Sequence, residues 1–337
     1  MLFTQKYQPE YIREFYLDDK TREILDILLK MDNLNILFVG DAGSGKSSIM
    51  NALLNEYYLN MNEPLSSSTI EKEKEKDKEN KPAKNKYKHN VLTINNLKDQ
   101  GIHYYRNDVK HFCQTSSSIK NKKKAILFDD IDFINEQSQQ VFRNCIDKYS
   151  KKVHFIASCS NLQKIIEPLQ SRFMIVKLKP FSKENLTKLF FKIKEMEQIQ
   201  IDTHASEFII DISQSSAKTL INYMEKIKLL NGPLVTFDLA QKLCTNIHFS
   251  LFDNYIDCLF DKKLQPAIRI LYDLFDNGYS VMDILDSFFV YVKTTKKLDE
   301  DQKYKIIPFI CKYISIFYNI HEDEIELALF TNDIISL

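Results

Sequence analysis

Five short apolar runs punctuate the first half of the chain: Ile36–Val39, Val91–Ile94, Ala125–Phe128, Val153–Ala157 and Phe173–Leu178. Short runs without polar alternation are the pattern of strands buried on both faces of a parallel sheet. Between them the apolar period lengthens to that of helices. Ile24, Leu25, Ile27, Leu28 and Leu29 precede the first run, and Ile49, Met50, Leu53 and Leu54 follow it. Asp99-Gln-Gly-Ile opens another helix carrying Tyr105, Val109 and Phe112, and Gln139 to Tyr149 forms one more. Repeated strand–helix units predict a three-layer α/β domain with a parallel sheet. Lys179-Pro180-Phe181 is a boundary, beyond which only helical periodicity remains. Helices are expected over Asn185–Met196, Glu207–Ile212 and Lys218–Leu230, then a break at Asn231-Gly232-Pro233. Further amphipathic helices follow over Leu251–Phe260, Gln265–Phe275, Val281–Lys293, Tyr304–Tyr318 and Glu322–Phe330. One stretch fits neither period. From about Glu63 to Lys88 the chain is Ser-rich, then alternates acid and base, and is read as a disordered insertion without a core.

Candidate chemistry sits where three of the strands end. After Ile36–Val39 comes Gly40-Asp41-Ala42-Gly43-Ser44-Gly45-Lys46-Ser47-Ser48, a full match to G-x-x-x-x-G-K-[ST]. Its glycines let backbone N–H groups turn inward around phosphate, Lys46 reaches the β- and γ-phosphates, and Ser47 ligates Mg²⁺. Strand before and helix after are both present, which a chance glycine-rich turn lacks. The run Ala125–Phe128 ends at Asp129-Asp130-Ile131-Asp132. An apolar strand closing on paired acids is the Walker B pattern, in which Asp129 holds the Mg²⁺ shell and Asp130 orients the attacking water. Past Val153–Ala157 lies Ser158-Cys-Ser-Asn161, where a polar side chain is placed to meet the γ-phosphate or the water.

Composition narrows the partners. The 337 residues suffice for two or three domains, and 44% hydrophobic and 12% aromatic content supports real cores. Lys+Arg and Asp+Glu both total 46, so a nucleic-acid site must be a local patch. Arg106 and Lys110 are four apart, hence on one helical face, and Arg143 lies on the next helix; a solvated face is the plainer account of all three. The six cysteines form no C-x-x-C pair, and His111 with Cys113 lacks a second ligand pair, so a metal-binding cysteine–histidine site is not expected. The first residues do not resemble a signal peptide, and no apolar run reaches membrane-spanning length; the chain reads as soluble and intracellular.

These residues together resemble the small subunits of replication factor C, the clamp loader of the AAA+ superfamily, over nearly the whole chain outside 63–88. Phe3-Thr-Gln-Lys-Tyr-Gln-Pro9 resembles the W-x-E-K-Y-R-P start, which implies that Tyr7 packs near the adenine. Asn95–Lys110 resembles the L-N-A-S-D-x-R-G-I helix, and Ser138–Lys151 resembles A-Q-x-A-L-R-R-x-M-E-x-Y-S. Ile165–Phe173 resembles I-I-E-P-L-x-S-R-C, which puts Arg172 in the position of the arginine finger that reaches a neighbour's ATP. Asn277-Gly-Tyr-Ser280 matches the G-Y-S turn of the collar helices. The resemblance implies an AAA+ P-loop αβα domain over 1–180, a helical lid over 181–240 and an all-α collar over 247–337. It implies ATP and Mg²⁺ as ligands and a hetero-pentamer that opens a PCNA-type clamp and loads it on primer–template DNA. Arg106, Lys110 and Arg143 then become DNA-backbone contacts. The place of work would be the nucleus in a cellular eukaryote or a cytoplasmic factory for a virus.

There are departures. Asp130 stands for the usual Glu, Ser160 (beside Asn161) for the sensor-1 Asn, Phe173 for a Cys, and Gln8 for an Arg. Lys218 is the only cation in the sensor-2 segment Ala217-Lys218-Thr219, and Lys lacks the planar fork of Arg. Two alternatives therefore stand beside an active ATPase: a non-hydrolysing ATP-binding scaffold that donates Arg172, and another AAA+ DNA replication machine.

Overall fold

The computed structural model describes residues 2–59, 87–94, 102–230, 234–245, 247–295, 297–317 and 321–336. The expected insertion lies outside these residues except for its last two. There Tyr87 stacks on Tyr58, with ring centroids 5.1 Å apart, and hydrogen-bonds Asn55, so folded chain resumes slightly before the expected end of the loop. The chain forms two compact units, Met1–Leu186 with Ser215–Thr219, and Thr187–Gln214 with Leu220–Leu337.

In the first unit the elements run α1 (Phe3–Lys6), α2 (Asp19–Lys30), β1 (Ile36–Val39), α3 (Lys46–Leu59), β2 (Val91–Ile94), α4 (Ile102–Gln114), β3 (Lys124–Phe128), α5 (Glu136–Tyr149), β4 (Val153–Cys159), α6 (Glu167–Gln170) and β5 (Met174–Lys177). Among the described residues the strands make one parallel sheet in the order β2-β3-β4-β1-β5. Alternate strand residues serve opposite faces. Ile36, Phe38, Ala125 and Leu127 pack with Leu25, Leu28 and the α3 residues Ile49, Met50 and Leu53. Leu37, Ile126, Phe128 and Phe155 pack on the other face with Val109, Phe142 and Ile146. Both faces are covered, which is why the strands read as continuous apolar runs. Strand β5 is one edge of the described sheet, opposite β2, and its Met174 is half exposed.

At the amino end of the sheet His154, on β4, is buried. Its Nδ1 accepts the Leu34 N–H at 3.3 Å, which leaves Nε2–H to donate to Asp32 Oδ1 at 3.2 Å. Burial outweighs Asp32 and holds the imidazole down at about 4, with Lys122 and Lys123 pushing the same way. The imidazole is neutral when folded and titrates near 6.5 when unfolded. Its contribution is therefore complete above pH 6.5 and is lost as pH falls towards 4. Denaturant midpoints should drop over that window by the equivalent of roughly 2–3 kcal/mol, and His154→Leu should flatten that slope. Asp32, whose carboxyl is held below its ordinary range by the Tyr57 and Lys123 hydrogen bonds despite partial burial, acts in a separate, more acidic window.

The second unit is helical. It holds most of α7 (Lys183–Glu197), α8 (Thr203–Ile212), most of α9 (Ala217–Leu229), α10 (Phe237–Cys244), α11 (Phe249–Phe260), α12 (Leu264–Asp276), α13 (Val281–Thr294), α14 (Glu300–Ile316) and α15 (Ile325–Ile335). The pattern anticipates these helices except α10, whose eight residues bury only Ala240 and Cys244 and are too short to show a period. Phe288 anchors the C-terminal helices, edge-on to Tyr255 at 5.4 Å and to Phe330 at 5.9 Å. The Gly-Tyr-Ser turn has a mechanical reason. Gly278, at φ +93°, closes α12: its N–H donates to Phe275 O and the Tyr279 N–H to Leu274 O. Ser280 then caps α13 by accepting the Asp283 N–H at 3.1 Å.

Candidate active site

Strand order puts the carboxyl ends of β3, β4 and β1 side by side, where open α/β sheets bind ligands. The loop after β1 turns through Gly43 at φ +79° and Gly45 at φ +90°. Both angles are strained for an L side chain, and a Cβ on Gly43 would also run into the Ser216 side chain. The loop ends on the N-terminus of α3, which begins at Lys46 and whose dipole favours anions.

Lys46 is nearly buried, and its Nζ donates to Gly40 O at 2.8 Å, Asp41 O at 3.1 Å and Ser160 Oγ at 3.2 Å. Ser47 Oγ lies 2.9 Å from both carboxylate oxygens of Asp129. Ser158, fully buried on β4, donates to Asp129 Oδ1 at 2.7 Å and accepts the Asp130 N–H at 2.9 Å. Asp130 is left-handed at φ +54°, a conformation that costs a non-glycine residue on the order of 1–2 kcal/mol and that clusters at functional sites. Burial first, and the Asp129 charge second, push its carboxyl above the usual range, against the pull of Lys46 and Lys218. A raised carboxyl is the direction that suits a proton acceptor.

Of the paired candidates past β4, the structure separates Ser160 from Asn161. Ser160 faces Lys46, whereas the Asn161 side chain accepts the Gln163 N–H at 2.9 Å and caps the short turn Leu162–Lys164. Tyr7 packs edge-on to Phe3 and is not among the residues lining the cavity by the loop. That cavity, about 390 Å³, is lined by Arg13, Phe15, Tyr16, Leu17, Arg22 and Asn185, among others. The Phe15 ring lies 3.8 Å from where a Gly45 Cβ would stand. Phe15 and Ser158 are the site residues that sequence reasoning missed: one is an ordinary core aromatic in a sequence, the other was read only as part of a polar run. The hydroxyl of Ser44 is buried without a hydrogen-bond partner among the described residues.

Arg172 is elsewhere. Residue 174 pairs with Ile36 at the start of β1, and Leu178 N–H bonds Val39 O just before the loop. At about 3.3 Å per residue, the start of β5 at Met174 is roughly 13 Å along the strand from the loop, and Arg172 lies in the turn before it. Its guanidinium clasps Asp147 of α5, Nε to Oδ1 at 2.6 Å and Nη2 to Oδ2 at 3.2 Å, while Nη1 donates to Pro168 O at 2.6 Å. Arg143 also leans on Asp147, at 3.7 Å, whereas Arg106 and Lys110 are exposed on α4.

The family model for ATPases associated with various cellular activities (AAA) matches residues 36–181, and the replication factor C C-terminal domain model matches 247–314. Together with the relatives the chain resembles, the two models support a replication factor C small-subunit AAA+ protein. The small subunit of replication factor C from Sulfolobus acidocaldarius is 29% identical over 67% of this chain and 62% of its own length. Replication factor C subunit 4 of Saccharomyces cerevisiae is 26% identical over 90% of this chain and 86% of its own. Among solved structures, the Thermotoga maritima RuvB branch migration motor superposes with TM-score 0.51 at 13% identity, covering 79% of this chain and 80% of that one. This last likeness is one of fold alone. An AAA+ P-loop ATPase fold implies nucleotide binding. No helix among the described residues is long and apolar enough to cross a membrane.

Proposed function

We propose that the chain is an ATP-hydrolysing subunit of a clamp loader, and that its catalytic sites are shared between neighbours. The observation that carries this reading is the position of Arg172, accessible at the far end of the sheet from its own loop. A guanidinium there has no ATP of its own to act on, and it suits the nucleotide of an adjacent subunit. In this reading residues 181–240 act as the lid and 247–337 as the collar, within a hetero-pentamer. The partners are a PCNA-type clamp and primer–template DNA, at a nuclear or viral replication site.

The donor set fits the ligands. Ser47 Oγ and the Asp129 carboxylate form an all-oxygen pair of the kind hard Mg²⁺ takes. Lys46 exchanges its loop carbonyls for phosphate oxygens, while the orphan Ser44 hydroxyl and the glycine backbone line the cradle. Held by Ser47 and Asp129, Mg²⁺ would neutralise phosphate charge. Asp130 orients the water and accepts its proton, Ser160 meets the γ-phosphate, and Lys218 draws towards the same carboxyl cluster. The cavity beside Phe15 is of a size to hold the base.

Reconstitution tests this reading. With sister subunits, clamp and primed DNA the chain should support ATP-dependent clamp loading, and alone it should bind ATP but barely turn it over. Replacing Arg106, Lys110 and Arg143 with Ala should weaken DNA binding by the complex equally for all sequences and flatten its salt dependence, since phosphate contacts release counterions. A salt slope like wild type would return these cations to solvent.

A further inference from the structure

Sensor loops work by placing one polar atom, and here that atom is on the shortest side chain available. A serine hydroxyl turns about a single bond close to the main chain, so the Ser160 backbone decides where Oγ stands. What fixes that backbone is Asp132. Its Oδ2 accepts the N–H of Ser160 at 3.2 Å and of Asn161 at 3.0 Å. Asp132 is 8% exposed, and its Oδ1 has no hydrogen-bond partner among the described residues. It stands in the short turn Ile131–Phe133, directly after Asp129 and Asp130. One carboxylate thus ties the Walker B turn to the loop that offers Ser160 to Lys46.

Stability alone gives a poor account of this arrangement. A buried carboxylate with one oxygen unsatisfied is a cost of the order of 1–3 kcal/mol, and two loop N–H groups so close to the surface would be served by water. The pair of charge-assisted bonds instead makes the loop rigid where a phosphate must be met.

We propose that Asp132 is a positioning residue for the γ-phosphate, acting through Ser160 by holding the sensor loop against the Walker B turn. The proposal rests on the reading that Ser160 faces the γ-phosphate, and it deepens that reading by assigning what aims the hydroxyl.

The test is equilibrium binding by the isolated full chain, titrated with ADP and with a non-hydrolysable ATP analogue in Mg²⁺. The ratio of the two affinities reads the γ-phosphate contact whether or not the subunit hydrolyses. Ser160→Ala should lower the preference for the triphosphate about fivefold to tenfold. Asp132→Ala should lower it as much while leaving ADP affinity within about twofold, and the double variant should be no worse than Ser160→Ala. Asp132→Asn keeps an acceptor oxygen and should recover most of the preference. Where Asp132→Ala melts too low to be used, Asp132→Leu, of similar size and without an acceptor, replaces it. If Ser160→Ala has no effect, the reading of Ser160 fails. If Ser160→Ala acts but Asp132→Ala keeps the preference, loses both nucleotides alike, or multiplies with Ser160→Ala, the positioning role is overturned.

Discussion

Lys46→Ala should lose tight ATP binding, by roughly 30- to 150-fold in affinity, the equivalent of about 2–3 kcal/mol for a charged hydrogen-bond donor. The ammonium is already poised: nearly buried, it is held by Gly40 O, Asp41 O and Ser160 Oγ at the mouth of the loop. These are neutral acceptors, and a phosphate oxygen is a stronger one. Its removal leaves the glycine backbone and helix α3 to hold the phosphates without a cation. The fold should survive, because among the described residues the Lys46 side chain bonds only the loop and Ser160 and takes no part in either core cluster. Calorimetric titration with ATP and a thermal melt separate the two outcomes. An unchanged affinity with an intact melt would refute the nucleotide-site assignment.

The second large effect divides enzyme from scaffold. In the assembled complex, Asp130→Asn made only in this subunit should cut single-turnover hydrolysis at its own site by about 10²- to 10⁴-fold, the usual worth of a placed general base. Arg172→Ala should instead slow the neighbour's site, by up to ~10³–10⁵ for a finger supplied in trans. This subunit's ATP affinity should stay nearly constant, because among the described residues the Arg172 guanidinium bonds only Asp147, Pro168 and Ser171. Should Asp130→Asn leave the complex at its full rate while Arg172→Ala slows it, the subunit is a finger-donating scaffold. The departures at Asp130, Ser160 and Lys218 are what motivate the scaffold reading. Hydrolysis is favoured by Asp130 still offering a carboxyl directly after Asp129, with its backbone N–H held by Ser158.

Sequence alone determined most of the elements and the phosphate loop. Strands β1, β3 and β4 announce themselves because both faces are buried and the apolar run is unbroken. Gly43 and Gly45 do so because only glycine takes their backbone angles cheaply. The acids at Asp129 and Asp130 were legible because they follow a buried strand directly. Where a side chain near a strand end points was not legible. Ser160 and Asn161 are adjacent and both polar, and only the pairing of β4 beside β1 and β3 turns one to Lys46 and the other into a local cap. Asp132 reads as one more acid in a run until Ser160 and Asn161, almost thirty residues on, bring their N–H groups to it. The partner of Arg172 is likewise set by the packing of α5 against the chain that leads into β5. Periodicity and backbone preference are local and are written in neighbouring residues. The direction of a loop side chain is settled by hydrogen-bond partners from distant strands, and those exist only once the sheet order β2-β3-β4-β1-β5 has formed.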